Sequence, residues 1–350
     1  MSDFTPITTF DGCRDAFGQQ TRVENIRAAA ADFRRDMLAG PTVRYFESFD
    51  LIKLLFPTRY GLRNAYRPEA LNPFVYITNR MFVVQFDTAD GLKTLLVSPS
   101  DHERGGETPY FRRLQDATPR LLLNRFVTRY ASVPDVLARI GLDPTDVDYI
   151  TYDHLHTQDL RRWLGQGDTP GLFPRARLLV HEREWASALD LNPYNRDWYC
   201  PHGLDGIAEE RIIRFSGSIR LGDGVALLHT PGHTEGNHSI VVHTDEGIWV
   251  TSENGISADA YAPRHSPIWG VANYARQTGT EVIINGNTLE SAVDQYISMV
   301  QELTIAGPSR RDARYPNVFP SSELTASWMS PGTRPGFAVR HTVHGTLERR

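Results

Sequence analysis

The chain has 350 residues, 40% of them hydrophobic and 23% charged, with a formal net charge of −5. That length buries a large core in one elaborated domain or two small ones, and the mild acidity argues against nucleic acid or an anionic membrane surface as partner. Two cysteines, Cys13 and Cys200, are too few for a disulfide framework and too far apart for a thiolate zinc pair.

In chain order, residues 1–20 are polar and lack the apolar stretch of a secretory leader, and no later run reaches the length of a membrane span. The expectation is a soluble, cytoplasmic protein. Residues 23–37 read as a helix ended by Gly40-Pro41. Residues 48–56 are apolar and stop at Pro57. Together they predict an N-terminal helical extension over 1–65, either a cap on the main domain or the contact of a homodimer.

Residues 74–77, 81–86 and 92–98 are rich in β-formers, with a turn at 87–91 making a hairpin. Residues 105–109 read as a loop and 133–140 as a short helix stopped by Gly141. A strand is predicted at 147–152, and another at 176–180 running into a helical 181–185. Further strands are predicted at 225–228, 239–243, 248–250 and 282–284, followed by a helix over 291–303. The main domain is therefore expected over 66–305. Residues 306–350 form a tail rich in Pro, Ser and Arg, without periodicity.

The most informative residues lie just past these strands. His154-Leu155-His156-Thr157-Gln158-Asp159 follows one strand, and Thr230-Pro231-Gly232-His233-Thr234 follows another. Two histidines at i, i+2 do not share a helical face but converge from an extended segment. A third imidazole from a Pro-Gly turn completes a three-nitrogen face for one metal ion, and such a face supports Lewis-acid chemistry. Glu253, in Thr251-Ser252-Glu253-Asn254-Gly255, ends a further strand.

On these residues the chain resembles the metallo-β-lactamase superfamily over roughly residues 70 to 300. The hallmark there is His-x-His-x-Asp-His, then Gly-His-Thr, then an Asp after a strand, then a final His. His154, His156 and His233 match the three-histidine half. Gln158 and Asp159 depart from the other half, Gln158 in place of its Asp and Asp159 in place of its second His. Glu253 stands where the bridging carboxylate is expected, and Asn285-Gly286-Asn287 stands where the family often ends with Pro-Gly-His, so Asn287 replaces the final histidine. The resemblance implies an α/β fold, a metallo-β-lactamase-like four-layer αβ/βα sandwich. It also implies metal ligation by His154, His156, His233, Glu253 and Asp159, with Asp159 and Glu253 as catalytic groups.

Gln158 is a poor metal ligand because its amide oxygen carries no compensating charge. Asp159 also reads as a helix cap. His181, His202, His229, His238 and His265 read as structural. Tyr194, Trp198, Tyr199, Tyr261 and Trp269 are candidate walls of a substrate pocket.

The functional expectation is a metal-dependent hydrolase that turns metal-activated water on an acyl bond of a small molecule: a lactone, ester, thioester or amide. By resemblance it is closest to the lactonase-like branch. Zinc is the expected metal, as one ion or two, with iron or manganese as the alternative. The competing readings are a non-haem iron oxygenase on the same fold and a non-catalytic ligand-binding protein.

Overall fold

A computed structural model describes residues 4–63, 65–66, 72–116, 126–286 and 291–349. The chain opens with β1 (Thr5–Ile7) and the helix Gln19–Ala39, whose buried stripe Val23, Ile26, Ala30, Phe33 and Met37 follows helical spacing. The helix ends where Gly40 donates its N–H back to Met37 O and Pro41 forbids another turn. Next come β2 (Tyr45–Pro57), β3 (Phe74–Thr88) and β4 (Gly91–Val97), an antiparallel run, and the short β5 (Thr128–Arg129), which pairs with β2.

The helix Val133–Ile140 starts on a Ser132/Asp135 capping box and stops at Gly141, φ +69. It leads into β6 (Tyr149–Thr151), the small hairpin β7 (Gly165–Gln166) and β8 (Thr169–Pro170), and β9 (Arg177–His181). The helix Glu182–Leu189 then leads to β10 (Ile212–Phe215). An antiparallel series follows: β11 (Ser218–Gly222), β12 (Val225–His229), β13 (His238–Thr244) and β14 (Gly247–Thr251). After the helices Val271–Thr278 and Ala292–Ala306, β15 (Ser322–Thr325) and β16 (Val343–Gly345) return to the sheets.

Two large sheets result. One has the order β1-β11-β12-β13-β14, and the other β10-β9-β6-β4-β3-β2-β16 with β15 on β3 and β5 on β2. The alternation in β12 shows why they stack. Val225 and Leu227 face the other sheet, packing with Phe46, Phe82 and Leu95, while Ala226 and Leu228 face the helices through Phe33, Met37 and Met299. On the far side, Met81, Val83, Leu96 and Ile150 pack against Val136, Leu137 and Trp163. Helices, sheet, sheet and helices make the expected four layers, and strands buried on both faces explain their continuous apolar runs.

The termini are woven into these layers. β1 pairs with β11, β2 pairs with β3 from Tyr45 opposite Gln85 to Pro57 opposite Phe74, and β16 pairs with β2. Residues 1–65 and 306–350, expected as an extension and a tail, therefore supply strands to the same sheets as residues 66–305. One expected strand does not form: at 282–284 the Ile283 N–H donates to Ala260 O, and beyond it the Asn285 N–H donates to Asn254 O. Carbonyls of the short helix Ala258–Tyr261 and of the loop before it take the bonds that a ladder would have used.

Candidate metal centre

Every histidine of the predicted triad leaves the carboxyl end of a strand. His154 and His156 follow β6, His233 follows β12, and Glu253 follows β14. Thr157 sits at φ +63, a left-handed conformation uncommon for a β-branched residue, and donates its N–H to Trp198 O at 2.7 Å. Gly232, at φ +144, lies so close to the helix Ala292–Ala306 that a Cβ there would fall 2.2 Å from Gln295 Cα. Only glycine fits the turn that aims His233.

The three imidazoles converge and are buried. His233 Nε2 lies 3.2 Å from His154 Nε2 and 3.3 Å from His156 Nδ1. A tetrahedral cation held by imidazoles at about 2.0–2.1 Å has nitrogen–nitrogen edges of about 3.3–3.4 Å. These two distances match two edges of such a site.

Carboxylates flank the triad on one side. Asp153 Oδ1 lies 3.3 Å from His154 Nδ1, and Glu253 Oε2 lies 4.0 Å from His154 Nε2. Ser321, far along the chain, donates its hydroxyl to Asp153 at 3.1 Å and to Glu253 at 3.4 Å. Burial opposes charge on His154, but Asp153 first, then Glu253 and Glu184, outweigh it and raise this imidazole to about 9. Burial and the neighbouring imidazoles hold His156 well below its ordinary value, and burial and His154 do the same for His233. Burial raises Glu253 to about 7 against the opposing pull of His154.

The remaining predicted residues lie elsewhere. Asp159 is buried, and its carboxylate accepts from Arg161 N at 3.0 Å, Arg161 Nη2 at 2.5 Å and Arg104 Nη1 at 3.4 Å. It is not among the groups that converge with the histidines in the described residues. Gln158 lines the adjoining cavity. Asn287 lies outside the described residues. His238 bonds Thr151, His181 stacks on His229, and His202 is exposed beside Asp205. Of the aromatic candidates, Trp198 lines the cavity and Tyr199 packs edge-on against His156 at 4.9 Å. Tyr261 donates to Glu302, and Tyr194 and Trp269 are exposed.

Sequence reasoning missed Asp153, although it stands directly before His154. It also missed two fully buried glutamates. Glu184 accepts from Leu155 N and from the Thr234 hydroxyl. Glu302 accepts from Asn254 Nδ2 at 2.7 Å, and Asn254 Oδ1 in turn accepts from His233 N at 3.2 Å. Neither glutamate carries a local motif.

The triad and Glu253 open onto a cavity of about 530 Å³, with Leu54, Phe56, Phe74, Ile77 and Trp198 among its walls. This is the scale of small-molecule sites, which combine apolar walls with a few convergent polar groups.

Two stacked sheets between helices, with histidines gathered at the strand ends, define a divergent protein of the metallo-β-lactamase fold. A stretch of 120 residues, 34% of the chain, is 28% identical to an N-acyl homoserine lactonase of Bacillus thuringiensis, and a similar protein of Bacillus cereus is 26% identical. The match spans 42% of the length of those relatives.

Among solved structures, a probable metal-dependent hydrolase from Staphylococcus aureus matches with a TM-score of 0.50 at 15% identity. That match covers 73% of this chain and 82% of the other. The dizinc quorum-quenching lactonase AidC matches with a TM-score of 0.50 at 13% identity, covering 88% and 96%. At these identities the likeness is one of fold. No family model matches the chain.

Proposed function

We propose that this chain is a metal-dependent hydrolase that opens a lactone or ester carrying an apolar acyl chain, at a single zinc ion held by His154, His156 and His233. The observation that carries this reading is the convergence of the three buried imidazoles, with His233 Nε2 3.2 and 3.3 Å from the facing nitrogens of His154 and His156, the length of two edges of one tetrahedral site. A cation bound there supplies Lewis-acid polarisation of water and of the acyl oxygen. Glu253 Oε2, beside His154, is the atom positioned to take the proton of the attacking water.

Gln158 stands where the motif has its carboxylate, and Asp159, in place of the second histidine, is committed to Arg161 and Arg104, so the second-ion half of the motif lacks its usual ligands. The apolar walls around Phe56, Phe74 and Ile77 suit a chain rather than a charged leaving group. The sequence likeness to N-acyl homoserine lactonases agrees with that substrate class.

Metal analysis of protein purified without added metal, with turnover of lactones and esters of increasing chain length, tests the reading. Near one zinc per chain and a rise of kcat/KM with chain length support it. Iron with oxygen consumption, or no turnover by metal-loaded protein, overturns it.

A further inference from the structure

One buried carboxylate joins the two loops that carry the triad. Glu184 Oε1 accepts the N–H of Leu155, the residue between His154 and His156, at 2.7 Å. Glu184 Oε2 accepts the hydroxyl of Thr234, the residue after His233, at 2.5 Å. Tyr199, whose ring packs on His156, donates its hydroxyl to the same Glu184 Oε1 at 3.4 Å. Glu184 is fully buried, so its two oxygens have these groups as partners rather than bulk water. The approach is close as well: a Cβ on Gly236 would fall 2.0 Å from Glu184 N.

We propose that Glu184 is a positioning residue that sets the spacing of the three imidazoles by tying the His154–His156 loop to the His233 turn. It touches no imidazole nitrogen and acts through Leu155, Thr234 and Tyr199. Hydrogen bonds to a buried carboxylate are stronger than neutral ones. Two such bonds from different loops fix the loops' separation in a way that apolar packing alone does not. The inference rests on the metal-centre reading above.

Cobalt(II) is the probe, because its visible spectrum reports ligand number and geometry apart from turnover. Glu184→Ala is expected to weaken cobalt binding about 10–100-fold, the usual cost of losing an orienting partner, and to alter the spectrum. Glu184→Gln is expected to stay within about threefold of wild type, because its amide oxygen still accepts from Leu155 N and its NH₂ donates to a Thr234 hydroxyl that reverses its role.

Should Glu184→Ala not fold, Thr234→Val carries the same expectation of weakened binding and Thr234→Ser the expectation of retention. A folded Glu184→Ala or Thr234→Val with wild-type affinity and spectrum overturns the role of Glu184. A wild-type protein that takes up no cobalt overturns the metal-centre reading itself, a separate outcome.

Discussion

Asp159 and Arg161 form a chelated pair two residues apart: the carboxylate accepts the Arg161 backbone N–H as well as its guanidinium, and Arg104 adds a further contact. The acid that stands in place of the motif's second histidine is thereby held by two arginines at the start of the short helix Arg161–Leu164, where it accepts the first helical N–H. Asp159→Asn is expected to leave metal content unchanged and to lower stability by roughly 2–3 kcal/mol. That is below the cost of breaking a fully buried pair, because Arg161 keeps some contact with water. Urea unfolding and metal analysis of the same sample check this, and loss of bound metal would return Asp159 to the centre.

Glu253 is expected to matter to turnover more than to metal retention. Glu253→Gln keeps the shape and removes the basic oxygen beside His154. The expected result is a fall in kcat of about 10²–10⁴-fold with metal still bound, the range for loss of a general base. Kinetics on metal-quantified protein decide between this and a ligand role, in which metal would be lost as well.

Gly232 and Gly91 both have positive φ but different surroundings. A methyl at Gly232 collides with the Gln295 backbone, whereas nothing lies within 4 Å at Gly91. Gly91→Ala is expected to cost about 1–2 kcal/mol from conformation alone. Gly232→Ala is expected to cost about 2–4 kcal/mol and to reduce metal occupancy, because the turn that aims His233 must shift. Thermal unfolding of the two variants side by side separates strain from collision.

His181 and His229 stack at 4.0 Å, the first buried and the second half-buried. Burial holds His181 at about 2 and His229 at about 4. In the unfolded chain each titrates near 6.5, so between about pH 6.5 and 4 the unfolded state binds more protons than the folded one. Stability therefore rises with pH across that window and is lost on acidification, at up to about 1.4 kcal/mol per pH unit for each histidine. Replacing His229 with Gln is expected to flatten the slope, which urea unfolding at pH 4.5, 5.5 and 6.5 measures. An unchanged slope would contradict the assignment.

Much of the fold was legible because its cues are local. β12 reads Val-Ala-Leu-Leu, apolar on both faces, and this marks a strand sandwiched between a sheet and helices. Helix 133–140 carries its own start and stop in Ser132, Asp135 and Gly141. Residues 282–284 misled because an apolar triplet looks alike in a strand and in a buried loop. β15 and β16 were hidden in a Pro- and Ser-rich stretch whose pairing partners, β3 and β2, lie some 250–300 residues earlier.

The triad was readable from the chain alone, since His154, His156 and His233 need only a strand end and a tight turn to converge, and both are written in neighbouring residues. The partners of the carboxylates were not. Arg104 reaches Asp159 across 55 residues, Glu184 reaches Leu155 across 29, and Ser321 reaches Asp153 across 168. A hydrogen bond between distant segments leaves no periodicity in either one. Whether an acid beside a metal motif binds metal, caps a helix or braces a loop is settled by which donors the folded layers bring within about 3 Å of it.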